Sequence, residues 1–284
     1  MAYYREIRDQ IQVTRVNQAY PADYFTYKNI DFGTTKGLTL TYDLRRIKNV
    51  RLTASYTLQF ADGTGADNTS AFNLVNYGQP NLRVLIPLNM DQRHQFNAYF
   101  DFGYGEGADY NGPRVKGKNG KKDIEIFSNA GITATLYGGS GFPYSRSSTI
   151  VSESASSEFS RPVMEGSING SRLPWQFNAD IRVYKSFNVF FGKKDEAKDK
   201  RKSMNMEVYL QVLNIFNFKN VVGVYRYSGN ADDDGFLIDP QTQASINNRV
   251  PDSESFRELY AMKVANPYNY AQPRRIRLGL LVNF

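Results

Sequence analysis

The chain has 284 residues, 41% of them hydrophobic, a net charge of +7, no cysteine and one histidine. No run of about 18 apolar residues occurs, which excludes a helical membrane span. Without cysteine there are neither disulfide frameworks nor thiolate metal sites, and positive charges scattered along the chain argue against nucleic acid as a partner.

Taken in chain order, the first element is a strand over 3–16, irregular because Arg5 and Asp9 fall on the face of Ile7, Ile11 and Val13. Next, Leu38, Leu40, Tyr42 and Leu44 alternate with Thr39, Thr41, Asp43 and Arg45. After a tight link at Ile47-Lys48-Asn49, Val50, Leu52, Ala54, Tyr56, Leu58 and Phe60 alternate with Arg51, Thr53, Ser55, Thr57 and Gln59. Unbroken period two on both arms predicts an antiparallel hairpin. The same pattern recurs over 94–104, 124–136, 175–184, 204–212 and 276–284, giving eight strands and no competing amphipathic helix.

Most of these strands reach ~10 residues, the length a tilted strand needs to cross a bilayer, and half of each is polar, so the low mean hydropathy is compatible with a membrane barrel. Twenty Tyr and 19 Phe suit aromatic belts at a lipid–water boundary, and suit sugar-binding surfaces as well. The links alternate in character. Those at about 46–49, 105–122 and 191–203 are short or simply charged. Those at about 15–34, 61–92, 138–173 and 218–271 are mostly longer and rich in Gly, Asn, Ser, Asp and Tyr. Short turns belong to the periplasmic side of an outer-membrane barrel and long loops to the outside, which places Phe284 at the periplasmic rim. The face opposite the apolar one carries Arg51, Asp101, Glu125, Asp180, Arg182, Glu207, Arg275 and Arg277, expected to point inward. A closed eight-stranded barrel with a charged interior and a wider barrel around water or a plug both fit that face.

No acid, base and nucleophile converge, so no enzyme is expected, nor any cofactor or metal centre. The single histidine, His94, falls on the oily face beside Phe96 and is expected at the rim. Residues 152–157 are serine-rich without a nucleophile-elbow context and are expected to be a loop. Asn230-Ala231-Asp232-Asp233-Asp234-Gly235 mimics the start of a calcium loop, but Gln241 stands where a bidentate glutamate is needed, so a solvated acidic turn is expected. The cationic run Lys193, Lys194, Lys198, Lys200, Arg201 and Lys202 is expected to be a soluble turn, with Lys185 snorkelling to the boundary nearby. Ring stacking and phenolic hydroxyls make Tyr77, Tyr225, Tyr227, Tyr260, Tyr268 and Tyr270 the ligand candidates in the long loops.

Four segments resemble TonB-dependent outer-membrane receptors, particularly the SusC-like branch. Pro87-Leu88-Asn89-Met90-Asp91-Gln92-Arg93-His94 resembles that family's P-x-x-x-D-Q-R-H strand start, and Ser140-Gly141-Phe142-Pro143-Tyr144 its SG-x-P-Y loop start. Asn214-Ile215-Phe216-Asn217-Phe218-Lys219-Asn220 resembles an N-L-F-N-x-K-N strand exit, and Pro273 to Gly279, running on to Phe284, resembles the closing strand. The segments keep the family's order across residues 87–284. The resemblance implies a bacterial outer-membrane location and a barrel of twenty-two strands around an N-terminal plug, with residues 1–284 forming the last third of its wall. It further implies import of an oligosaccharide or peptide-like substrate, energy from a TonB-type system acting through the plug, a SusD-like surface lipoprotein as partner, and Phe284 as the barrel-assembly signal. Met1 to Glu6 has no apolar signal region and neither plug nor TonB-contacting segment is recognisable, so the chain is expected to be the tail of a longer protein. Two alternatives remain: a self-contained eight-stranded barrel acting as adhesin or structural surface protein, and a soluble sugar-binding β protein.

Overall fold

The computed structural model describes residues 1–65, 68, 70–72, 75, 84–116, 123–150, 163–191 and 202–283. Alternating apolar and polar side chains with β-branched and aromatic residues build one large antiparallel sheet. Its long strands are β1 (Ala2–Val16), β2 (Tyr24–Ile47), β3 (Val50–Gly63), β4 (His94–Gly103), β5 (Ala130–Gly139), β6 (Gln176–Phe191), β7 (Lys202–Leu213) and β8 (Arg275–Asn283). Each pairs with the next in chain order, and a two-residue strand, Ile86–Pro87, adds to β3. The all-β antiparallel architecture expected from the alternation is the one observed. The path ends at β1 and β8, which are the sheet's two edges, so among the described residues the strands form an open sheet rather than a self-closed barrel.

The link between β2 and β3 is tight: Ile47 faces Val50 across a turn in which Lys48 takes φ 54°. The first outer link is shorter than expected. Val16 pairs with Tyr24, so what reads as a loop over 15–34 is mostly a long extension of the β1–β2 hairpin. The irregularity at Asp9 has a backbone cause: its φ is 57° and it drops out of the ladder between Ile7 and Gln10. The expected strand over 124–136 is split. Ile124–Glu125 pairs with Arg114–Val115 as a separate ribbon, residues 126–129 turn with Asn129 at φ 52°, and β5 starts at Ala130. Two further ribbons, Pro143–Tyr144 with Ser171–Arg172 and Arg146–Ser147 with Met164–Glu165, fold the outer loop between β5 and β6.

Two helices also occupy the outer segment before β8, where none was expected. They are α1 (Pro240–Arg249) and α2 (Ser253–Val264). Asp239 caps α1 by accepting from the Thr242 N–H at 2.8 Å with Pro240 in the first turn, and Asp252 caps α2 through the Ser255 N–H at 3.0 Å. These helices are mostly polar and bury only Ile246, Tyr260 and Val264. A search for an apolar stripe passes over them; their caps were the readable signal.

Candidate functional site

Cross-strand register sorts the two faces of the sheet. Leu44, Leu52, Phe100, Ala134, Ile181, Val212 and Ile276 oppose one another in succession, an apolar row seven strands wide. One residue along each strand, and therefore on the other face, Arg51, Asp101, Thr133, Arg182, Gln211 and Arg277 form a polar row six strands wide. Further apolar rows lie above and below the first, such as Val50, Phe102, Ile132, Val183, Leu210 and Leu278. Phe100, Ile132, Val183, Leu210, Ile276 and Leu278 are exposed, and the other large side chains of these rows are half-buried.

The polar face carries a hollow of about 550 Å³ lined by Tyr99, Asp101, Thr133, Thr135, Asp180, Arg182, Tyr184, Glu207 and Gln211 among others. A second of similar volume is bounded by Asp43, Arg45, Arg46, Arg51 and Asp101. Arg46 donates to Asp101 at 2.7 Å, and Arg182 pairs with Glu207 while its guanidinium lies 4.0 Å from the centre of the Tyr209 ring. Of the expected wall residues, Arg51, Asp101, Asp180, Arg182 and Glu207 thus come together along these hollows, and Arg275 and Arg277 share the face on β8. Glu125 does not: it belongs to the separate ribbon and pairs with Arg114 at 3.2 Å, because the strand breaks at the 126–129 turn. Asp180 has a structural task as well, accepting from the Asn214 N–H at 2.8 Å. Tyr99, Tyr184, Gln211, Arg45 and Arg46 were missed as lining residues, though strand parity alone puts all but Arg46 on this face.

Tyrosines on this face lie flat over glycines. A Cβ at Gly131 would sit 2.6 Å from the Tyr184 hydroxyl, and one at Gly279 would sit 2.3 Å from Tyr209 Cζ. Each glycine is the direct cross-strand partner of its tyrosine. The first strand repeats the device, with Tyr3 crossing Gly37 to donate to Gln59 at 3.0 Å.

At the outer end of the apolar face a ladder of rings runs from Tyr56 through His94, Trp175, Phe177 and Phe218 to Phe216, with successive centroids 5.5–6.2 Å apart. His94 lies in it, its Nδ1 2.8 Å from the Tyr56 hydroxyl. Lys185, at the other end, reaches the Ile126 carbonyl, and its ammonium stands 5.5 Å from the Phe187 ring centre.

The segments at 87–94 and 140–144 meet in space. Asp91, 1% exposed, accepts from the Ala61 N–H at 2.9 Å, pairs with Arg172 and lies 3.7 Å from Arg93. Gln92 donates to the Ser140 carbonyl at 3.0 Å, and the His94 N–H donates to Ser140 Oγ, also at 3.0 Å. In the third segment, Asn214 and Asn217 take φ 51° and 54°; Asn217 accepts from the Arg274 N–H at 3.0 Å, and Asn220 bonds both backbone groups of Phe177. These residues tie the outer strand ends together.

The loop tyrosines divide. Tyr260 is 2% exposed, bonds Asp234 and packs on Phe236 at 4.8 Å, so it is a core residue of the outer loop and not available to a ligand. Tyr225 donates to the Val264 carbonyl at 2.8 Å, and Tyr270 donates to Asp232. That bond, with burial and the carboxylate charge adding to it, holds the Tyr270 phenol above its ordinary range. Tyr225 and Tyr227 border a cavity of about 250 Å³ with Ser147, Thr149, Val224, Arg226 and Asp234. Tyr268 is 87% exposed. Tyr77, Phe284, residues 152–157 and most of the cationic run at 193–201 lie outside the described residues. The acidic turn is internally bonded: Asn230 accepts from the Asp232 N–H, Asp233 from the Gly235 N–H and Asp234 from the Phe236 N–H. No metal-binding group of His, Cys, Asp or Glu occurs among the described residues.

No family model matches the chain, and no curated protein matches it. Among solved structures it is similar to the outer membrane transporter YddB from Escherichia coli, at 14% identity over 77% of this chain and 26% of that one, with a TM-score of 0.43. The chain thus spans about a quarter of that transporter's length.

Proposed function

We propose that these strands are a sector of the wall of an outer-membrane β-barrel, and that the barrel is a TonB-dependent nutrient receptor of the SusC-like branch. One observation carries the membrane reading: apolar rows up to seven strands wide lie back to back with a charged row six strands wide. Hydrocarbon against the first face and a wet or plug-filled lumen against the second satisfy both. A soluble protein rarely exposes so broad an apolar patch. In lipid the unpaired edges of β1 and β8 must be covered, since open edges leave backbone groups unsatisfied, so further strands complete the ring. Such a sector fits a wide barrel better than the self-contained eight-stranded adhesin.

The receptor assignment rests on the ordered motifs and on their convergence at the outer strand ends. By this reading the long loops capture an oligosaccharide or peptide-like substrate, with Tyr227 and Tyr268 the exposed ones among the described candidate tyrosines. Energy relayed by a TonB-type system displaces a plug, and a SusD-like lipoprotein covers the mouth. The protein carries out no catalysis in this scheme.

Single cysteines introduced into this cysteine-free chain test the wall. Spin labels at Leu52, Ile181 and Leu278 are expected to be accessible to oxygen and shielded from a water-soluble relaxant, and labels at Thr53, Asp180 and Arg277 the reverse. Equal aqueous access on both faces would refute the membrane reading. Loss of TonB-dependent substrate uptake on deleting these strands tests the receptor assignment; uptake unchanged by the deletion removes it.

A further inference from the structure

We infer that the lipid-facing side of this sheet carries a site for the phosphate of a lipid headgroup, formed by Lys36 and Arg93 around the ring of Phe60. The site rests on the membrane reading above. Phe60 continues the apolar face of β3, following Tyr56 and Leu58, and Lys36 of β2 is its direct cross-strand partner. Directly opposed residues of an antiparallel pair share a face, so Lys36 lies beside Phe60 on the apolar side. Lys36 is exposed and has no ion-pair partner among the described residues.

Arg93, the residue before β4, comes to the same ring, its guanidinium carbon 5.4 Å from the Phe60 centroid. Asp91 does not neutralise it outright: that carboxylate lies 3.7 Å away and is already paired with Arg172, so two guanidinium groups share one charge. Asp62 is the next residue of β3 on this face, one step farther from the apolar rows.

Height on the wall identifies the ligand. The row beneath joins Leu38, Leu58 and His94, and His94 belongs to the aromatic ladder with Tyr56 and Trp175. Aromatic rings of this kind mark the boundary where acyl chains give way to headgroups. Two cations one row above that boundary, on the hydrocarbon side, meet phosphate carried on an acyl-chain lipid before they meet a dissolved anion. A phosphate held between Lys36 and Arg93 would leave the acyl chains lying along Leu58, Tyr56 and their neighbours.

The test is native mass spectrometry of the full chain, extracted in detergent, with phosphatidic acid or the diacylglycerol of the same chains added. Phosphatidic acid adducts are expected to exceed diacylglycerol adducts. Lys36→Gln should lower phosphatidic acid retention about fivefold, Lys36→Arg should restore it, and millimolar inorganic phosphate should not displace the lipid. Equal retention by Lys36→Gln and wild type overturns the site. So do equal adducts with the two lipids, which leave the membrane reading standing, and displacement by inorganic phosphate, which makes the ligand a free anion. A folded chain recovered without detergent and free of any lipid adduct overturns both together.

Discussion

In the wall, apart from glycines, β3 to β6 bury only Ala61, Ala98, Asp101 and Ala179 among the described residues. The outer layer buries Leu88, Asp91, Gln92, Ser140, Ser147, Asn169, Asn214, Ala231, Asp234, Ile246, Tyr260 and Val264. The outer loops therefore behave like a small water-soluble protein with its own core, much of it polar and hydrogen-bonded. The wall has regular backbone pairing but almost no core of its own. The described residues leave its apolar side chains without a cover, which the hydrocarbon of the proposed membrane setting would supply.

Three substitutions and one control separate the two regions, the three in descending order of expected effect. Asp91→Ala should cost about 3–5 kcal/mol, because it leaves Arg172 and Arg93 without their shared carboxylate and orphans the Ala61 N–H. Protease should then cut the outer loops while the strands stay protected; cleavage spreading into β3 and β4 at once would show that the two regions unfold together. Ile181→Arg should destabilise the wall by about 2–4 kcal/mol in lipid, and Thr135→Arg, on the opposite face, by far less. Urea titrations in detergent and in vesicles measure the difference, and equal costs would erase the distinction between the faces. Tyr260→Phe removes a donor from the buried Asp234 carboxylate and should cost about 1.5–3 kcal/mol, confined to the loop layer in hydrogen exchange.

The smallest effect is a pH dependence. The Tyr270 phenol is raised in the folded chain, so the tie to Asp232 contributes fully below the ordinary tyrosine range near ~10. It is lost as pH climbs through the raised value, where phenolate would face carboxylate. Ultraviolet titration of phenolate absorbance should show a late-ionising tyrosine that disappears in Tyr270→Phe, and an unchanged titration would deny the tie.

Strand identity was legible because each face follows parity: Leu52 and Arg51 differ by one position and by everything that surrounds them. The same rule misled at 124–136, where Ile124, Ile126 and Ala130 keep parity straight through a turn that only the positive φ of Asn129 reveals. The helices stayed hidden because they have little apolar surface to display, although Asp239-Pro240 and Asp252 announce their starts. Among the candidate residues, the charges that share the polar face followed from alternation, Glu125 excepted. The loop tyrosines did not, since whether a phenol meets a ligand or an aspartate depends on contacts 26 residues apart for Tyr260 and 38 for Tyr270.

In the barrel proposed above, the tyrosines that cross glycines bear on the width of the lumen. Tyr184 and Tyr209 are among the bulkiest side chains on the polar face, yet a ring lying along its neighbour's backbone adds little thickness there. A standing ring would project toward the axis and narrow the passage. Glycine opposite each ring lets the strands be stitched side to side by large aromatic contacts while the opening keeps its width for whatever must pass or plug it.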